Sequence, residues 1–368
     1  MKRRDFLGAM AGAGAATALT ACGSNEDNAA AAAVMQPQKT YQWKMVTTWP
    51  KNFPGLGTGA NHIAQLIEAM SGGRIQVKVF GAGELVGAFE VFDAVSQGNA
   101  QLGHAGAYYW RGKIPCASFF SSVPFGLTAQ EMNAWLYYGG GMALWEEAYK
   151  PFGLLPNPGG NSGTQMGGWF NKEIRSLQDL QGLKMRIPGL GGEVLKRAGG
   201  VPLTLAGGEI FPSLQSGALD ATEWVGPYND LAFGLYKVAK YYYTPGWHEP
   251  GTTMECMINE QAFNELPKDL QAIVRTAIKA ANAEMLAEYT ARNQQALHTL
   301  VHEHKVELRH FPDEVLRALK SLSQEVVEEA AKADALSAKV WASQKTFKEQ
   351  VMQWTEVSEF AYLRARAL

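Results

Sequence analysis

The chain has 368 residues, and its 33 Lys and Arg residues nearly balance 35 Asp and Glu residues, so the formal net charge at pH 7 is −2. No basic cluster departs from this balance, which argues against a nucleic-acid partner. Without an N-terminal leader about 330 residues remain, enough for two lobes with a sizeable hydrophobic interior.

The N-terminus has the pattern of an export signal. Residues 1–22 combine paired arginines, Arg3 and Arg4, with an apolar run of small residues that is shorter than a membrane span requires. This pattern resembles a twin-arginine signal, and its end resembles a lipoprotein processing box that would leave Cys22 as a lipidated N-terminus. Cleavage without lipidation is the alternative. Residues 23–40 predict a flexible tether, so we expect a protein of the periplasm.

The first lobe begins with an alternating strand at 41–49, a helix with apolar residues at helical spacing at 57–70, and a strand at 74–80. A strand, a helix and a strand in this order predict a right-handed crossover and a largely parallel sheet. Aromatic residues dominate the rest of the lobe and should mostly be core. Tyr108 and Tyr109 stand near a predicted strand end, where they could face a cleft.

Two distant stretches repeat one pattern. In each, an apolar helix closes at a glycine six residues after a phenylalanine, and a short strand then leads to a tyrosine eleven residues beyond that glycine: Phe92, Gly98 and Tyr109, then Phe211, Gly217 and Tyr228. Glycine adopts the left-handed conformation past a helix end at the lowest cost. Because ligands bind at the carboxyl ends of strands in open α/β sheets, both units should face one cleft between two lobes. A chance match of short motifs is the alternative.

The second unit contains an unusual carboxylate. A strand predicted at 219–225 carries Glu223 among Ala, Trp, Val and Gly residues, and Gly226 and Pro227 end it. A buried carboxylate is costly unless a cation or hydrogen bonds compensate its charge. An exposed Glu at a strand end is the ordinary alternative.

The second lobe follows a glycine-rich loop at 157–163. Further strands are predicted at 164–170, 183–187, 201–205 and 241–250, the last of which returns the chain to the first lobe. Glycines after Pro188 free backbone amides at a helix start, which suits an anion. The lysine of a phosphate loop and the full dinucleotide spacing are missing, so we do not expect a nucleotide site.

Beyond residue 260 the pattern is helical, with long helices predicted at 267–301 and 312–368. The second of these carries aromatic residues in an otherwise polar sequence. They should pack either on the body of the same chain or against a second copy across a two-fold axis. The candidates for such an interface are Trp341, Phe347, Trp354 and Tyr362.

Neither the cysteines nor the clustered histidines have a strong pattern. Cys116 and Cys256 are too few for a disulfide framework; one disulfide is open to them, and buried free thiols are the main expectation. Four histidines, at 298, 302, 304 and 310, lack the spacing of a zinc site and stand among charged residues. They indicate a solvated helix face.

Together these features resemble the solute-binding proteins of tripartite ATP-independent periplasmic (TRAP) transporters, from about Tyr41 to the C-terminus. The strand that ends in Lys-Met-Arg-Ile-Pro at 184–188 is moderately specific to that family. The run from Glu223 to Tyr228, with Gln165 and residues 247–250, resembles more narrowly the branch that binds 2-oxo acids or lactate together with a metal cation.

The resemblance implies an α/β protein with a two-lobe, periplasmic-binding-protein-like fold, mixed sheets, a long connecting helix and a C-terminal helical extension. It implies a first lobe at 41–163 plus about 252–290 and a second lobe at 164–251 plus about 291–335. Residues 336–368 would form the helix through which members of this branch dimerise.

The resemblance also implies roles for single residues. Arg186 would bind the ligand carboxylate, and Gln165 would contact both ligand and cation. Glu223 and the backbone carbonyl of Trp224 would hold the cation, and the remaining ligand contacts would come from Glu249, Tyr109 and Tyr228. The chemistry fits, because guanidinium matches a carboxylate in two-bond geometry and oxygen ligands suit a hard cation such as Na⁺ or Ca²⁺. A structural ion pair between Arg186 and Glu223 is the alternative.

We therefore expect a receptor that captures a small 2-oxo or 2-hydroxy monocarboxylate with a cation and delivers it to membrane subunits. Arg186, Glu223 and a monocarboxylate sum to −1, which Na⁺ balances, whereas an ionised Glu249 makes −2, which Ca²⁺ balances. A receptor for a dicarboxylate or a sugar acid is one alternative. A metal-assisted enzyme acting on 2-oxo acids is another, although no Ser or Cys nucleophile has an evident base and His248 is the one imidazole placed for a cleft.

Overall fold

The computed structural model describes residues 39–368. The predicted twin-arginine signal, the lipidation site at Cys22 and nearly all of the predicted tether lie outside these residues. Within the described part, no helix is both long and apolar enough to cross a membrane.

The described residues contain twelve strands, which form two six-stranded sheets. In chain order they are β1 (Tyr41–Thr47), β2 (Ile75–Phe80), β3 (Leu102–Gly106), β4 (Leu154–Leu155), β5 (Pro158–Asn161), β6 (Gly168–Phe170), β7 (Lys184–Arg186), β8 (Val201–Leu203), β9 (Ala221–Thr222), β10 (Tyr241–Thr244), β11 (Thr253–Asn259) and β12 (Glu307–His310).

Twelve α-helices in the same part of the chain cover the sheets and form the C-terminal region. They are α1 (Leu56–Met70), α2 (Val91–Ser96), α3 (Ala129–Tyr138), α4 (Gly141–Tyr149), α5 (Gly189–Arg197), α6 (Gly207–Gln215), α7 (Pro227–Phe233), α8 (Glu260–Asn264), α9 (Lys268–His298), α10 (Asp313–Ala331), α11 (Ala335–Thr355) and α12 (Ala361–Arg366).

The first lobe is built on a mixed sheet in the order β2-β1-β3-β11-β4, with β5 also pairing to β11. β1 lies parallel to β2 and β3, as the order of strand, helix and strand predicts. β11 enters from far along the chain and runs antiparallel to β3, β4 and β5. One buried face of α1, which includes Ile63 and Ile67, packs against this sheet.

The second lobe is built on a sheet in the order β12-β10-β6-β9-β7-β8. β7 lies parallel to β8 and β9, whereas β6 is antiparallel to both β9 and β10. The chain crosses between the sheets after β5, after β10 and along α9, which packs on β5 and α1 on one side and on α7 on the other. The two mixed sheets and the connecting helix confirm the predicted architecture.

Two strands are shorter than the sequence predicts. Of the strand expected at 219–225 only β9 pairs in the sheet, and of the strand expected at 164–170 only β6 does. The extended chain continues beyond both, where the Met166 N–H donates to the Val225 carbonyl at 3.0 Å. The residue pattern predicts the extended backbone but not where its pairing in the sheet begins or ends. Gln165, before β6, and Glu223 and Trp224, after β9, lie in these unpaired extensions.

The C-terminal region is divided into successive helices rather than one helix at 312–368. α10 packs on α5 of the second lobe, and α11 packs on α3 and α4 of the first. Asp334 starts α11, because its side chain accepts a hydrogen bond from the Ser337 N–H at 2.6 Å. Apolar residues recur at helical spacing on both sides of this break. The spacing alone therefore does not show where α10 ends and α11 begins.

The four aromatic residues proposed for an interface separate into two pairs. Trp341 stacks on Phe119 with ring centroids 5.6 Å apart, and Phe347 packs against the core of the same chain. Trp354 and Tyr362 are 68% and 64% exposed. The early part of the extension is therefore docked on its own body, and the late part presents apolar surface.

The cysteines follow the sequence-based expectation. The clustered histidines are exposed as expected but do not share one helix face, because His310 ends β12 and His304 follows the last helical turn. Cys116 and Cys256 are both buried free thiols. His302, His304 and His310 are exposed. Among the described residues, none of the clustered histidines belongs to a group of side chains that could hold a metal ion.

Candidate functional site

Arg186 and Glu223 lie at the carboxyl ends of two adjacent parallel strands. β7 ends at Arg186, and Glu223 directly follows β9, with its N–H donating to the Arg186 carbonyl at 3.1 Å. Arg186 Nη1 donates to Glu223 Oε1 and, at 3.3 Å, to the Glu223 carbonyl. Both side chains are 1% exposed. The buried ion pair considered as an alternative is thus present, at the sheet edge where ligands bind in open α/β sheets.

The guanidinium of Arg186 is a fixed positive charge in this space. Burial acts to lower the pKa of Arg186, but the neighbouring Glu223 acts to raise it, and the net direction is upward. The guanidinium carbon lies 4.9 Å from the centroid of the Trp224 ring, which adds a cation–π contact. Glu223 and Trp224 therefore both hold the group that would meet a carboxylate.

Gln165 and Glu249 come from the two crossings between the sheets. Gln165 Nε2 donates to Glu249 Oε2 at 2.8 Å, and Thr252 Oγ1 donates to the same oxygen at 2.6 Å. Gln165 Oε1 is buried and has no hydrogen-bond partner within residues 39–368. A buried amide oxygen without a partner is costly, so this atom is available to a group from outside the chain.

Glu249 is held in an environment that favours its neutral form. Burial, followed by the charge of Glu223, raises the pKa of Glu249 to about 7, while His248 and the bond from Thr252 act in the opposite direction. Glu249 as a whole residue is 5% exposed. Whether the site with its ligand carries a charge of −1 or −2 therefore depends on Glu249, whose pKa lies near neutral pH.

His248 belongs to this cluster, although the sequence assigned no binding role to it. Its Nε2 lies 3.4 Å from Glu223 Oε2. Glu223, His248 and Glu249 each place one ligand atom within 4.8 Å of the others. The available signal was its place next to Glu249 in the run at 247–250. Sequence pattern alone does not show which side chains of an irregular crossing point inward.

The first lobe covers the cluster with Tyr108 and Tyr109. They follow β3 in a short 3-10 turn, and Arg186 Nη2 donates to Tyr109 OH at 3.2 Å across the cleft. Burial is the main cause that raises the pKa of both tyrosines, so their hydroxyl groups stay protonated. A cavity of about 210 Å³ adjoins them, with Ile187 and Pro202 on its second-lobe side.

The structure does not bring Tyr228 to this cluster. α7 turns it towards α9, where its hydroxyl donates to Glu288 at 2.9 Å and its N–H to Asn293. Burial raises the pKa of Tyr228 to about 12. The equal spacing of Tyr109 and Tyr228 from their glycines concealed this difference, because the strand after one glycine has five residues and the strand after the other has two.

The donor set fits a hard cation. Gln165 Oε1 and the carboxylates of Glu223 and Glu249 supply oxygen atoms, and the backbone of Trp224 continues directly from Glu223. Oxygen ligands of this kind suit Na⁺ or Ca²⁺, whereas one imidazole among them is too little to select zinc. The unpaired amide oxygen of Gln165 is the observation on which this fit depends.

Two lobes that meet over a buried arginine, with carboxylate and amide oxygens beside it, define a solute-binding protein of the two-lobe type. The chain belongs to the DctP family, family 7 of the bacterial extracellular solute-binding proteins, whose sequence profile matches residues 45–334. Members are the receptors of TRAP transporters, so this chain is a periplasmic transport receptor and not an enzyme. The matched range includes every residue of the cluster.

Relatives with known binding partners resemble the chain over nearly its whole length. A monocarboxylate 2-oxoacid-binding periplasmic protein of Nostoc sp. is 44% identical over 362 residues, which cover 98% of this chain and 98% of that protein. A TRAP solute-binding protein of Pseudoalteromonas atlantica, solved with sodium and pyruvate, is 43% identical and covers 89% of this chain and 99% of its own, with a TM-score of 0.86.

Two further solved structures are similar to the same extent. The protein of Colwellia psychrerythraea, with calcium and pyruvate, is 43% identical, covers 89% of this chain and 100% of its own, and has a TM-score of 0.86. The protein of Bordetella bronchiseptica, a mixed-occupancy dimer with calcium and picolinate, is 37% identical, covers 90% of this chain and 100% of its own, and has a TM-score of 0.86.

Proposed function

We propose that this chain is the TRAP receptor for a small 2-oxo or 2-hydroxy monocarboxylate, such as pyruvate or lactate, which it binds together with Na⁺ or Ca²⁺. The observation that carries the proposal is the buried Arg186, set beside Glu223 and the unpaired Gln165 Oε1. An arginine at the centre and oxygen ligands next to it are what a carboxylate bound through a cation requires. The pyruvate and cation bound by relatives 43% identical to this chain support the same assignment.

Ligand binding involves an exchange of partners at Arg186. The guanidinium now donates through Nη1 to Glu223 and through Nη2 to Tyr109. A ligand carboxylate takes over part of this donation, because two parallel N–H groups match its two oxygens. Glu223 then loses part of its compensation and its oxygens become available to a cation. A bound cation would supply positive charge shared by Gln165, Glu223, Trp224 and the ligand oxygens.

Ligand size follows from the walls of the site. Tyr108, Tyr109 and Trp224 enclose the guanidinium, and the first two have their hydroxyl groups held in the protonated form by burial. Glu249 accepts a hydrogen bond from Gln165 and would meet a 2-hydroxy oxygen, or a water next to a 2-oxo oxygen. One guanidinium serves one carboxylate, which disfavours dicarboxylates. The enclosing rings of Tyr109 and Trp224 disfavour larger sugar acids by their size.

Closure over the ligand takes place between the lobes, with hinges near Gly163 and Pro250 and along α9. Contacts across the cleft support this: Arg111 of the first lobe lies 3.1 Å from Glu193 of the second, and the rings of Phe53 and Phe233 have centroids 4.3 Å apart. These contacts are absent from an opened cleft and are remade when it shuts around a ligand.

Export by the twin-arginine route, anchoring through a lipid on Cys22 and delivery to the membrane subunits complete the proposal. The N-terminal pattern supports the first two. A lipid anchor would keep the receptor close to the membrane subunits that receive the ligand.

We also propose a homodimer, formed through the late part of the C-terminal extension. Trp354, Val357 and Tyr362 are each at least 64% exposed on consecutive turns of one helical segment. A second copy would bury such a patch across a two-fold axis, and the dimeric relative from Bordetella bronchiseptica is consistent with this. Trp341 and Phe347, which pack on their own chain, are not part of this proposal. Sedimentation of the mature chain as a monomer at micromolar concentration would contradict it.

Calorimetry with a panel of acids tests the proposed ligand class. Pyruvate, lactate and a short branched 2-oxo acid should bind with micromolar or tighter affinity in the presence of Na⁺ or Ca²⁺. Succinate and gluconate serve as the dicarboxylate and the sugar acid. If either of them binds about a hundredfold more tightly than pyruvate, a difference of about 2.7 kcal/mol, the assignment is wrong.

A further inference from the structure

Each lobe contains a buried carboxylate that accepts one indole N–H and one phenol O–H. In the second lobe, Asp230 Oδ2 accepts from Trp169 Nε1 at 3.0 Å and from Tyr242 OH at 2.6 Å. In the first lobe, Glu255 accepts from Trp110 Nε1 and, at 2.7 Å, from Tyr149 OH. Neither carboxylate is more than 1% exposed. Within the described part of the chain, neither has a cationic partner.

Burying a carboxyl group costs free energy of folding, and filling a hydrophobic core does not require one. A buried carboxyl group, neutral or ionised, is tolerated where its hydrogen bonds are complete, and apolar residues of similar volume would stabilise the same space at lower cost. Trp169 and Tyr242 stack with centroids 4.1 Å apart, so their rings would pack without Asp230. We therefore expect each carboxylate to fix the position of a nearby segment that ring packing alone does not fix.

Asp230 is linked to the backbone that carries the cation ligands. Its Oδ1 accepts from the Val225 N–H at 3.5 Å, next to Trp224. Trp169 belongs to β6, where it pairs with Thr222, the residue before Glu223. Asp230 thus ties both ends of the segment from 222 to 225 to the second sheet.

Glu255 is linked to the tyrosine wall of the first lobe. Trp110 is the last residue of the 3-10 turn that contains Tyr108 and Tyr109. Glu255 lies on β11, opposite Ala105 of β3, the strand that leads into this turn. The carboxylate therefore fixes both the strand before Tyr109 and the indole after it.

We propose that Asp230 and Glu255 are a matched pair of positioning residues, each of which fixes one wall of the binding site from behind. Asp230 sets the position of Glu223 and the Trp224 carbonyl, and Glu255 sets the position of Tyr109 over Arg186. This inference rests on the proposed function. It predicts that the two carboxylates affect different steps of binding, since one supports the cation ligands and the other supports closure over the ligand.

The test measures pyruvate affinity by calorimetry at low and at saturating cation concentration for Asp230→Asn and Glu255→Gln. We expect Asp230→Asn to weaken pyruvate binding about tenfold at low cation and to regain most of this affinity at saturating cation. Glu255→Gln should weaken binding about fivefold to tenfold at every cation concentration. A role confined to stability would not separate the variants in this way.

Glu131→Gln is the matched control. Glu131 is 7% exposed in the first lobe, and its carboxylate accepts from the Thr128 N–H and from Thr355, away from the cleft. Its substitution should leave pyruvate affinity within about twofold of the wild-type value at both cation concentrations. Tyr149→Phe and Tyr242→Phe, which remove one donor and keep the carboxylate, should reproduce the two patterns in milder form if the primary variants do not fold.

The outcomes separate the inference from the proposed function. Wild-type protein that binds none of the acids with either cation would overturn both. Wild-type binding, with all variants of Asp230, Glu255, Tyr149 and Tyr242 equal to Glu131→Gln, would overturn the inference alone. So would an equal response of the two carboxylate variants to added cation.

Discussion

The two lobes contribute different kinds of chemistry to one site. The second lobe and the crossings next to it supply every charged group of the cluster, namely Arg186, Glu223 and Glu249, whereas the first lobe supplies the phenol groups of Tyr108 and Tyr109. A ligand can therefore be recognised by its charge on one lobe and enclosed by the other. This division lets affinity for the ligand and closure of the cleft be altered separately.

The largest effect should come from the charged lobe. Arg186→Lys is expected to weaken pyruvate binding by about 3 kcal/mol, because a lysine cannot make the two-bond geometry and leaves neighbouring polar groups unpaired. Calorimetry measures this loss. Arg197→Lys, on the same lobe but paired with exposed Glu325 and Glu329, is the control and should change little. A loss of less than about 1 kcal/mol for Arg186→Lys would mean that this arginine is only structural.

Sequence reasoning located the charged lobe more completely than the enclosing one. Glu223 was identified as an unusual carboxylate in a predicted strand, whereas Arg186 and Gln165 were identified from the family resemblance. The structure brings all three together. Tyr228 was paired with Tyr109 because each lies at the same distance in sequence from a glycine. The strands that follow the two glycines differ in length, so the two segments run in different directions. The side-chain directions in irregular segments, such as the one containing His248, depend on long-range packing. No local sequence pattern encodes that packing.

The buried carboxylates behind the two walls should respond alike to pH. Burial raises the pKa of Glu255 from 4.5 to about 7, so the native state keeps a proton that the unfolded chain releases within this interval. The stability contributed by this proton is complete below pH 4.5 and is lost as the pH rises to 7. Between pH 4.5 and 8, the free energy of unfolding of wild type should therefore fall, relative to that of Glu255→Gln, by roughly 2 to 3 kcal/mol.

Denaturant titrations at several pH values measure the free energy of unfolding of wild type and of Glu255→Gln. The same comparison with Asp230→Asn tests the second lobe. Burial also raises the pKa of Asp230 to about 7, so the same sign is expected there. A difference that is constant over this pH range would show that the carboxylates are ionised throughout. The two lobes would then be built on buried charges rather than on neutral acids.

The smallest effect should come from the enclosing lobe. Tyr109→Phe removes the hydroxyl that accepts from Arg186 Nη2 at 3.2 Å and should weaken pyruvate binding by about 1 kcal/mol. Tyr138→Phe is the control, because Tyr138 is 91% exposed on the same lobe. A Tyr109→Phe loss as large as that of Arg186→Lys would contradict the division of roles between the lobes.

Binding of ligand and cation to one shared site can be measured directly. Pyruvate is titrated by calorimetry into metal-stripped protein, first without added cation and then with Na⁺ or Ca²⁺. Because coupling free energies are reciprocal, at least one cation should tighten pyruvate binding, by about 1 to 3 kcal/mol, and pyruvate should tighten binding of that cation equally. Pyruvate affinity that is the same in metal-stripped protein and with either cation would contradict the shared site at Gln165 and Glu223.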